Sequence, residues 1–157
     1  MKNGKINNLI ILGANPAYDS PVDFDFAESL KKVKNSVHLT SIIDETSKLC
    51  SWNIAMNHYF ECWGDAMTYD GHVSIVQPQI MPLFDSKSII QILSPIVHSK
   101  EQSAYDTVKN VWKSNIIKSG NFEREWDKVL HDGLYKKPIF KKVNVSPASK
   151  ISTAILN

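Results

Sequence analysis

No apolar run in the sequence approaches the roughly 20 residues that a membrane-spanning helix needs, so no direct membrane span is expected. Behind the basic N-terminus "MKNGKINN" the apolar stretch is about one strand long, too short for a signal-peptide core. The chain is therefore expected to be a soluble domain carrying no address of its own. Cysteine is scarce. Cys50 and Cys62 permit one disulfide, but they form no C-x-x-C pair and no disulfide framework, and both are expected to be buried as small apolar residues. Two thiols also fall short of the about four ligands an iron–sulfur cluster takes, so no redox cofactor is expected in this chain. An excess of one charge is missing too. Eighteen basic and 16 acidic residues leave a net charge of +2, which gives no reason to expect a nucleic-acid partner. Glycine-rich phosphate cradles are absent: there is no G-x-G-x-x-G and no P-loop. There is no internal repeat and no low-complexity segment.

What is present suits one ordinary globular domain. Hydrophobic residues make up 43% of the 157 and charged residues 22%, enough for a buried core. "NNLIILGANP" reads as a short buried strand, expected to be central, that stops at Gly13. Pro16 biases Asn15 to an extended conformation. "SPVDFDFAESLKKVK" follows as a helix, with Ser20 as its cap, Pro21 in its first turn, and Phe26, Leu30 and Val33 as its apolar stripe. "SVHLTSII" is a second strand, "DETSKLC" a short helix opened by acids, and "WNIAM" a third strand. Connections too long for hairpins, joining continuous apolar runs, imply parallel pairing. The expected class is α/β: a Rossmann-like three-layer domain with a mainly parallel sheet, helices on both faces and a helical C-terminal extension.

The middle of the chain is richer in aromatics, Gly and Pro, with one strand-like run, "HVSIVQP", after an Asp70-Gly71 turn. Ser86 is expected to open a helix that Pro95 kinks or stops. Tyr105, Val108 and Trp112 share a helical face, as do Phe122, Trp126, Val129 and Leu130 on a helix running from Asn121 to Gly133. "KKPIFKKVNV" reads as a late strand whose lysines, Lys136, Lys137, Lys141 and Lys142, line a solvated edge. The division is a core over 8–100, a helical extension with the late strand over 101–145, and a partly mobile tail over 146–157.

Few residues are placed to carry chemistry. Gly13 to Pro16 end a strand where open α/β sheets receive ligands, or form a tight turn that needs Gly and Pro for geometry alone. In "DETS", Asp44, Glu45, Thr46 and Ser47 face a ribose or a pterin amine, or cap a helix. His58, Glu61, Cys62 and Asp65 are metal-ligand types without the convergence a metal site needs. The five histidines are scattered, and His38, inside a strand, reads as a satisfied core or sheet-edge residue. No catalytic triad is present and no metal site is expected.

The order of these segments resembles a known family. "LIILGANPAYDSPVDFDFAESLKKV" resembles the G-x-N-P segment of the molybdopterin oxidoreductases, in the domain that cradles one guanosine end of their cofactor. "IIDETSKLC" is similar to the family's segment with T-E-T-A. "WNIAMNHYFECWGD" stands where those enzymes have A-D-V-V-L-P, and "YDGHVSIVQPQIMPLFDSKSIIQIL" resembles the segment that follows. "CWGDAMTYDGHVSIVQPQIMPLFDSKS" and "FEREWDKVLHDG" resemble a divergent branch, the large iron–sulfur subunit of alternative complex III, a bacterial respiratory quinol:electron-acceptor oxidoreductase. The resemblance runs over roughly residues 8 to 140. There are departures: Ser51 and Trp52 replace the Ala-Asp pair, Met56 and Asn57 replace the closing proline, and His72 stands in place of Arg.

The resemblance implies a piece of a larger subunit whose iron–sulfur clusters lie elsewhere. It implies, as partners, the iron–sulfur domain of that subunit and other respiratory-complex subunits, with the parent held at the periplasmic face of a bacterial inner membrane. It implies a non-catalytic structural role with a vestigial cofactor edge at Gly13, Asn15, Pro16, Glu45 and Thr46. In an active relative of the family, the same residues would touch molybdopterin guanine dinucleotide. A small Rossmann-like domain binding another nucleotide is the reading from outside the family.

Overall fold

The computed structural model describes residues 1–118, 120–140 and 143–144. The expected tail, 146–157, lies outside them. The chain begins as strand β1 (Asn8–Leu12), helices α1 (Pro16–Asp19) and α2 (Phe26–Leu30), strand β2 (Asn35–Thr40), helix α3 (Glu45–Leu49) and strand β3 (Trp52–Ala55). The three strands pair in parallel in the order β1-β2-β3, with Ile10 opposite Val37 and Leu39 opposite Ile54.

The middle strand is β2, which corrects the expectation that 9–12 is central. The apolar "LIIL" looked the more buried of the two, yet Ile10 is exposed while Ser36, His38, Leu39 and Thr40 are all buried. Polar residues survive at the centre because each is bonded there. Ser36 Oγ accepts from the Ser51 amide at 2.9 Å, Thr40 Oγ1 donates to the Ile42 carbonyl at 2.9 Å, and both His38 ring nitrogens have partners.

The single helix expected from Ser20 onward is broken into pieces. Pro16 starts α1, and Ser20 is its C-terminal cap, extended at ψ 144°, donating its amide to the Pro16 carbonyl. Pro21 excludes helical backbone at the residue before it, so the chain leaves α1 there. A 3₁₀ turn (Val22–Phe24) and Asp25, in the left-handed region at φ 46°, then reset the direction for α2. From this piece Leu30 and Val33 reach the interior.

A second sheet, antiparallel and not anticipated, is formed by β4 (Gly64–Met67), β5 (Val73–Val76) and β6 (Leu134–Tyr135), in that order. The Asp70-Gly71 turn joins β4 to β5. Gly71 is needed twice over: its φ is +89°, and a Cβ there would meet the Phe140 amide nitrogen at 2.9 Å. The late strand expected from Lys136 is found instead at Leu134–Tyr135, ahead of Pro138, which has no amide for a ladder. Lys141, Lys142 and Ser146 lie outside the described residues.

Helices α4 (Ile89–His98), α5 (Ala104–Val111) and α6 (Phe122–Asp132) complete the structure. Ser88, not Ser86, caps α4. Its hydroxyl accepts from the Gln91 amide, and the Gln91 side chain accepts from the Ser88 amide. Pro95 does not stop α4, which continues to His98. A π-helical turn (Trp112–Ile116) extends α5, and Asn121 and Gly133 bracket α6 as expected.

The main core lies between the antiparallel sheet and α5–α6. It holds Val73, Ile75, Val108, Trp112, Ile117, Trp126, Val129 and Tyr135. Trp112 and Trp126 meet edge to face with centroids 5.5 Å apart. A buried indole N–H needs an acceptor. Trp112 donates to Asp65 Oδ2 at 2.9 Å and Trp126 to Tyr105 Oη at 3.2 Å. Replacing Trp126 by Ala is expected to cost about 3–5 kcal/mol in urea unfolding. The same change at the exposed Trp52 should stay within about 0.5 kcal/mol.

Candidate functional site

The C-terminal edge of the parallel sheet carries the residues singled out in the sequence. Gly13 turns the chain there at φ +62°, a region that strains other residues, and donates its amide to the Leu39 carbonyl at 2.8 Å. Asn15 stands at the N-cap position of α1, yet its side chain makes no cap bond. It reaches across to α3 instead. Asn15 Oδ1 accepts from Thr46 Oγ1 at 2.7 Å and from the Thr46 amide at 3.2 Å, while Asn15 Nδ2 donates to Glu45 Oε2 at 2.7 Å. Thr46 Oγ1 in turn accepts from the Ala17 amide at 2.9 Å. Asn15, Glu45 and Thr46 therefore come together, although 30 residues separate the two loops. Pro16 sets the first position of α1 beside them.

A second layer lies beneath, on the central strand. His38 is fully buried; its Nε2 lies 2.9 Å from the Ala14 carbonyl and its Nδ1 3.0 Å from Ser47 Oγ. A carbonyl only accepts, so Nε2 carries a hydrogen. Asp44 caps α3. Its Oδ1 accepts from the Ser47 amide at 2.8 Å, and Ser47 Oγ accepts from the Asp44 amide at 3.2 Å. His38 thus ties the turn after β1 to the start of α3. A lone histidine inside a strand reads from sequence only as a satisfied core or sheet-edge residue, and the Asp-x-x-Ser spacing that follows is the signal for its partner.

Electrostatics at this edge favour the two carboxylates as anions. The Asn15 amide is the largest influence on Glu45 and holds its carboxyl below the usual range. Burial acts most strongly on Asp44 and opposes ionisation. The Ser47 hydrogen bonds and the neighbouring His38 together outweigh it, so this carboxyl too sits low.

Helix starts bind phosphate through free amides. In α1, Pro16 has none, the Ala17 amide serves Thr46, and the amides of Tyr18 and Asp19 donate to the Asn15 carbonyl. In α3, the Thr46 and Ser47 amides serve Asn15 and Asp44. With those donors engaged and two anions beside them, the residues present do not fit the pyrophosphate of a guanine dinucleotide.

The cluster after β3 is also occupied by structural bonds. Glu61 accepts from the amides of His58 at 2.8 Å and Leu83 at 2.9 Å, which keeps its carboxyl below the usual range. Cys62 Sγ lies 3.6 Å from the His58 carbonyl, and Asp65 holds Trp112. Among the described residues no three His, Cys, Asp or Glu side chains converge as metal ligands. Cys50 and Cys62 are free and half-buried rather than fully buried, and burial raises both thiol pKa values.

No protein-family profile matches the chain. A stretch of 83 residues is 34% identical to the menaquinone reductase molybdopterin-binding-like subunit of Nitratidesulfovibrio vulgaris (strain Hildenborough). About half of the chain is thus similar to a molybdopterin-binding-like subunit. The match takes in 50% of this chain and 12% of that relative. Among the described residues, no helix is long and apolar enough to cross a membrane.

Two outcomes are expected from this edge. Thr46→Val keeps the shape and removes a buried hydroxyl that both donates and accepts, so it should cost about 1–3 kcal/mol in urea unfolding, with Thr46→Ser closer to wild type. Asp44 titrates below its ordinary 3.8 in the native state, so its contribution is complete above that value and declines as the pH falls through the lower native one. The stability difference between wild type and Asp44→Asn, followed by urea unfolding, should therefore shrink as the pH is lowered from about 5 to about 3.

Proposed function

We propose that this chain is a non-catalytic structural domain of a molybdopterin-oxidoreductase-like iron–sulfur subunit in a respiratory quinol:electron-acceptor oxidoreductase, of the alternative complex III type. The observation that carries the reading is the edge just described. It keeps the strand–glycine–helix geometry of a ligand-binding edge, while its side chains bond one another and occupy the amides a phosphate would use. The partial relation to a subunit whose name is "molybdopterin-binding-like" supports the same reading.

In this proposal β1–β3 are part of a Rossmann-like, three-layer arrangement that neighbouring segments of the parent complete. The iron–sulfur clusters lie elsewhere in the parent, on the periplasmic face of a bacterial inner membrane. The partners are its iron–sulfur domain and other subunits of the complex. Apolar side chains at this same edge support a packing role: Tyr18 is 75% exposed, Ile42 71% and Ile43 69%. Side chains of this kind, when they cluster in the open, mark surfaces that another polypeptide covers.

Titration with GMP and GTP, followed by amide NMR shifts, tests the proposal. No saturable change is expected at Gly13, Asn15 or Thr46 up to about millimolar nucleotide, an affinity of only about 4 kcal/mol. Saturable micromolar binding centred on those residues would replace this reading with that of a cofactor-binding domain of an active molybdopterin oxidoreductase.

A further inference from the structure

The helices of the parallel half lie on one face of its sheet. The strand order β1-β2-β3, with right-handed connections, puts both crossovers on the same side. Helix α3 packs against α1, α2 and β2. Side chains fix which side that is. His38 and Asn53 are neighbours in the register, and both bond Ser47 of α3. His38 Nδ1 lies 3.0 Å from its hydroxyl, and Asn53 Nδ2 donates to its carbonyl at 2.9 Å.

Successive residues of a strand point to opposite faces. Ile10, Val37 and Trp52 therefore form one row on the face turned away from these helices, and Leu12, Leu39 and Ile54 form a second. Both rows are apolar throughout. Leu39, in the middle, is buried, but Ile10 is 39% exposed and Trp52 68%. The apolar face ends at the start of the strands with a polar pair, Asn35 Nδ2 donating to Asn8 Oδ1 at 2.8 Å.

Parallel sheets are ordinarily covered on both faces, and by helices. The dimensions here fit one helix. Three strands are about 10 Å across, and rows two residues apart are about 7 Å apart. A helix is about 10–12 Å in diameter and advances about 5.4 Å per turn. The rim beside Asn8 and Asn35 adds charge. The Asn35 amide donates to the Asn7 carbonyl at 2.9 Å, which brings together the segments that carry Lys5 and Lys34. Both lysines are exposed, and neither forms an ion pair among the described residues.

We infer that this face docks an amphipathic helix of about three turns from another segment of the parent subunit, apolar toward the sheet and carrying carboxylates at the end that meets Lys5 and Lys34. The inference rests on the structural role proposed above and names the surface and the chemistry of the partner. A second copy of the chain matches the face less well, because it would bring a sheet and the same two lysines.

The test uses the 157-residue chain and a synthetic peptide of about 14 residues, held helical by a lactam on its polar face, with leucines along one side and glutamates in its first turn. One control has the same composition with the leucines spread around the helix; another has glutamine for glutamate. Saturable NMR shifts are expected at the Trp52 indole and at the Ile10 and Val37 amides. The spread-leucine control should bind at least about tenfold more weakly. The glutamine control, or Lys5→Glu with Lys34→Glu, should weaken binding about threefold, as exposed ion pairs do. Trp52→Glu, at an exposed position, should weaken it at least about tenfold, with far-UV circular dichroism confirming the fold. Equal binding of the spread-leucine control, or no saturable shift at Ile10, Val37 and Trp52, would overturn the inference. So would self-association in sedimentation that shifts those same signals without peptide, which would give the face to a second copy. Nucleotide binding is read at Gly13, Asn15 and Thr46, so this inference and the structural role fail on different signals.

Discussion

The hydroxyl of Thr46 is fully buried at the join of two loops, and much of the parallel half depends on it. It donates to Asn15 and receives the first available amide of α1, so the turn after β1 and the helix after β2 are held at one distance. His38 repeats the connection one layer deeper, between the Ala14 carbonyl and Ser47. Buried polar groups are tolerable only when satisfied, and here they satisfy one another. That closure explains the poor suitability of the edge for a phosphate.

The antiparallel half rests on a different constraint. Two tryptophans are the largest fully buried side chains of the core, and each brings an indole N–H that must be answered inside it. Asp65 on β4 and Tyr105 on α5 provide the acceptors, which ties the sheet to the helices in fixed register. The halves meet where the segment before α4 runs beside β3. Lys87 donates to the Ala55 carbonyl and accepts from the Asn57 amide. That short parallel bridge, between Met56 and Lys87, joins the two halves.

This arrangement suits a domain that keeps a ligand-binding fold for its shape. Gly13 and Pro16 answer backbone requirements that persist without a ligand. The Asn15 side chain serves as a cross-brace between loops 30 residues apart, not through bonds within its own turn. The exposed Tyr18, Ile42 and Ile43 on the same edge fit a surface covered by a neighbour.

Much of the local structure was legible in the residues. Gly13 ended the first strand, Asn121 and Gly133 bracketed α6, Asp44 capped α3, and Trp112 and Trp126 declared themselves on helical stripes. These are short-range effects of backbone preference, capping and periodicity, and a one-dimensional pattern contains them. Other features were decided only in three dimensions. The pattern of "SVHLT" looked less buried than "LIIL", because hydropathy does not record that a histidine or serine will find its partners at the centre of a sheet. The helix after Pro16 broke at Pro21 and Asp25, and the short apolar run at Val73–Val76 paired antiparallel with segments on either side of it in the chain. Above all, whether Asn15 and Thr46 face a ligand or each other depends on the distance between two loops, and only the packing of α1 against α3 sets that distance.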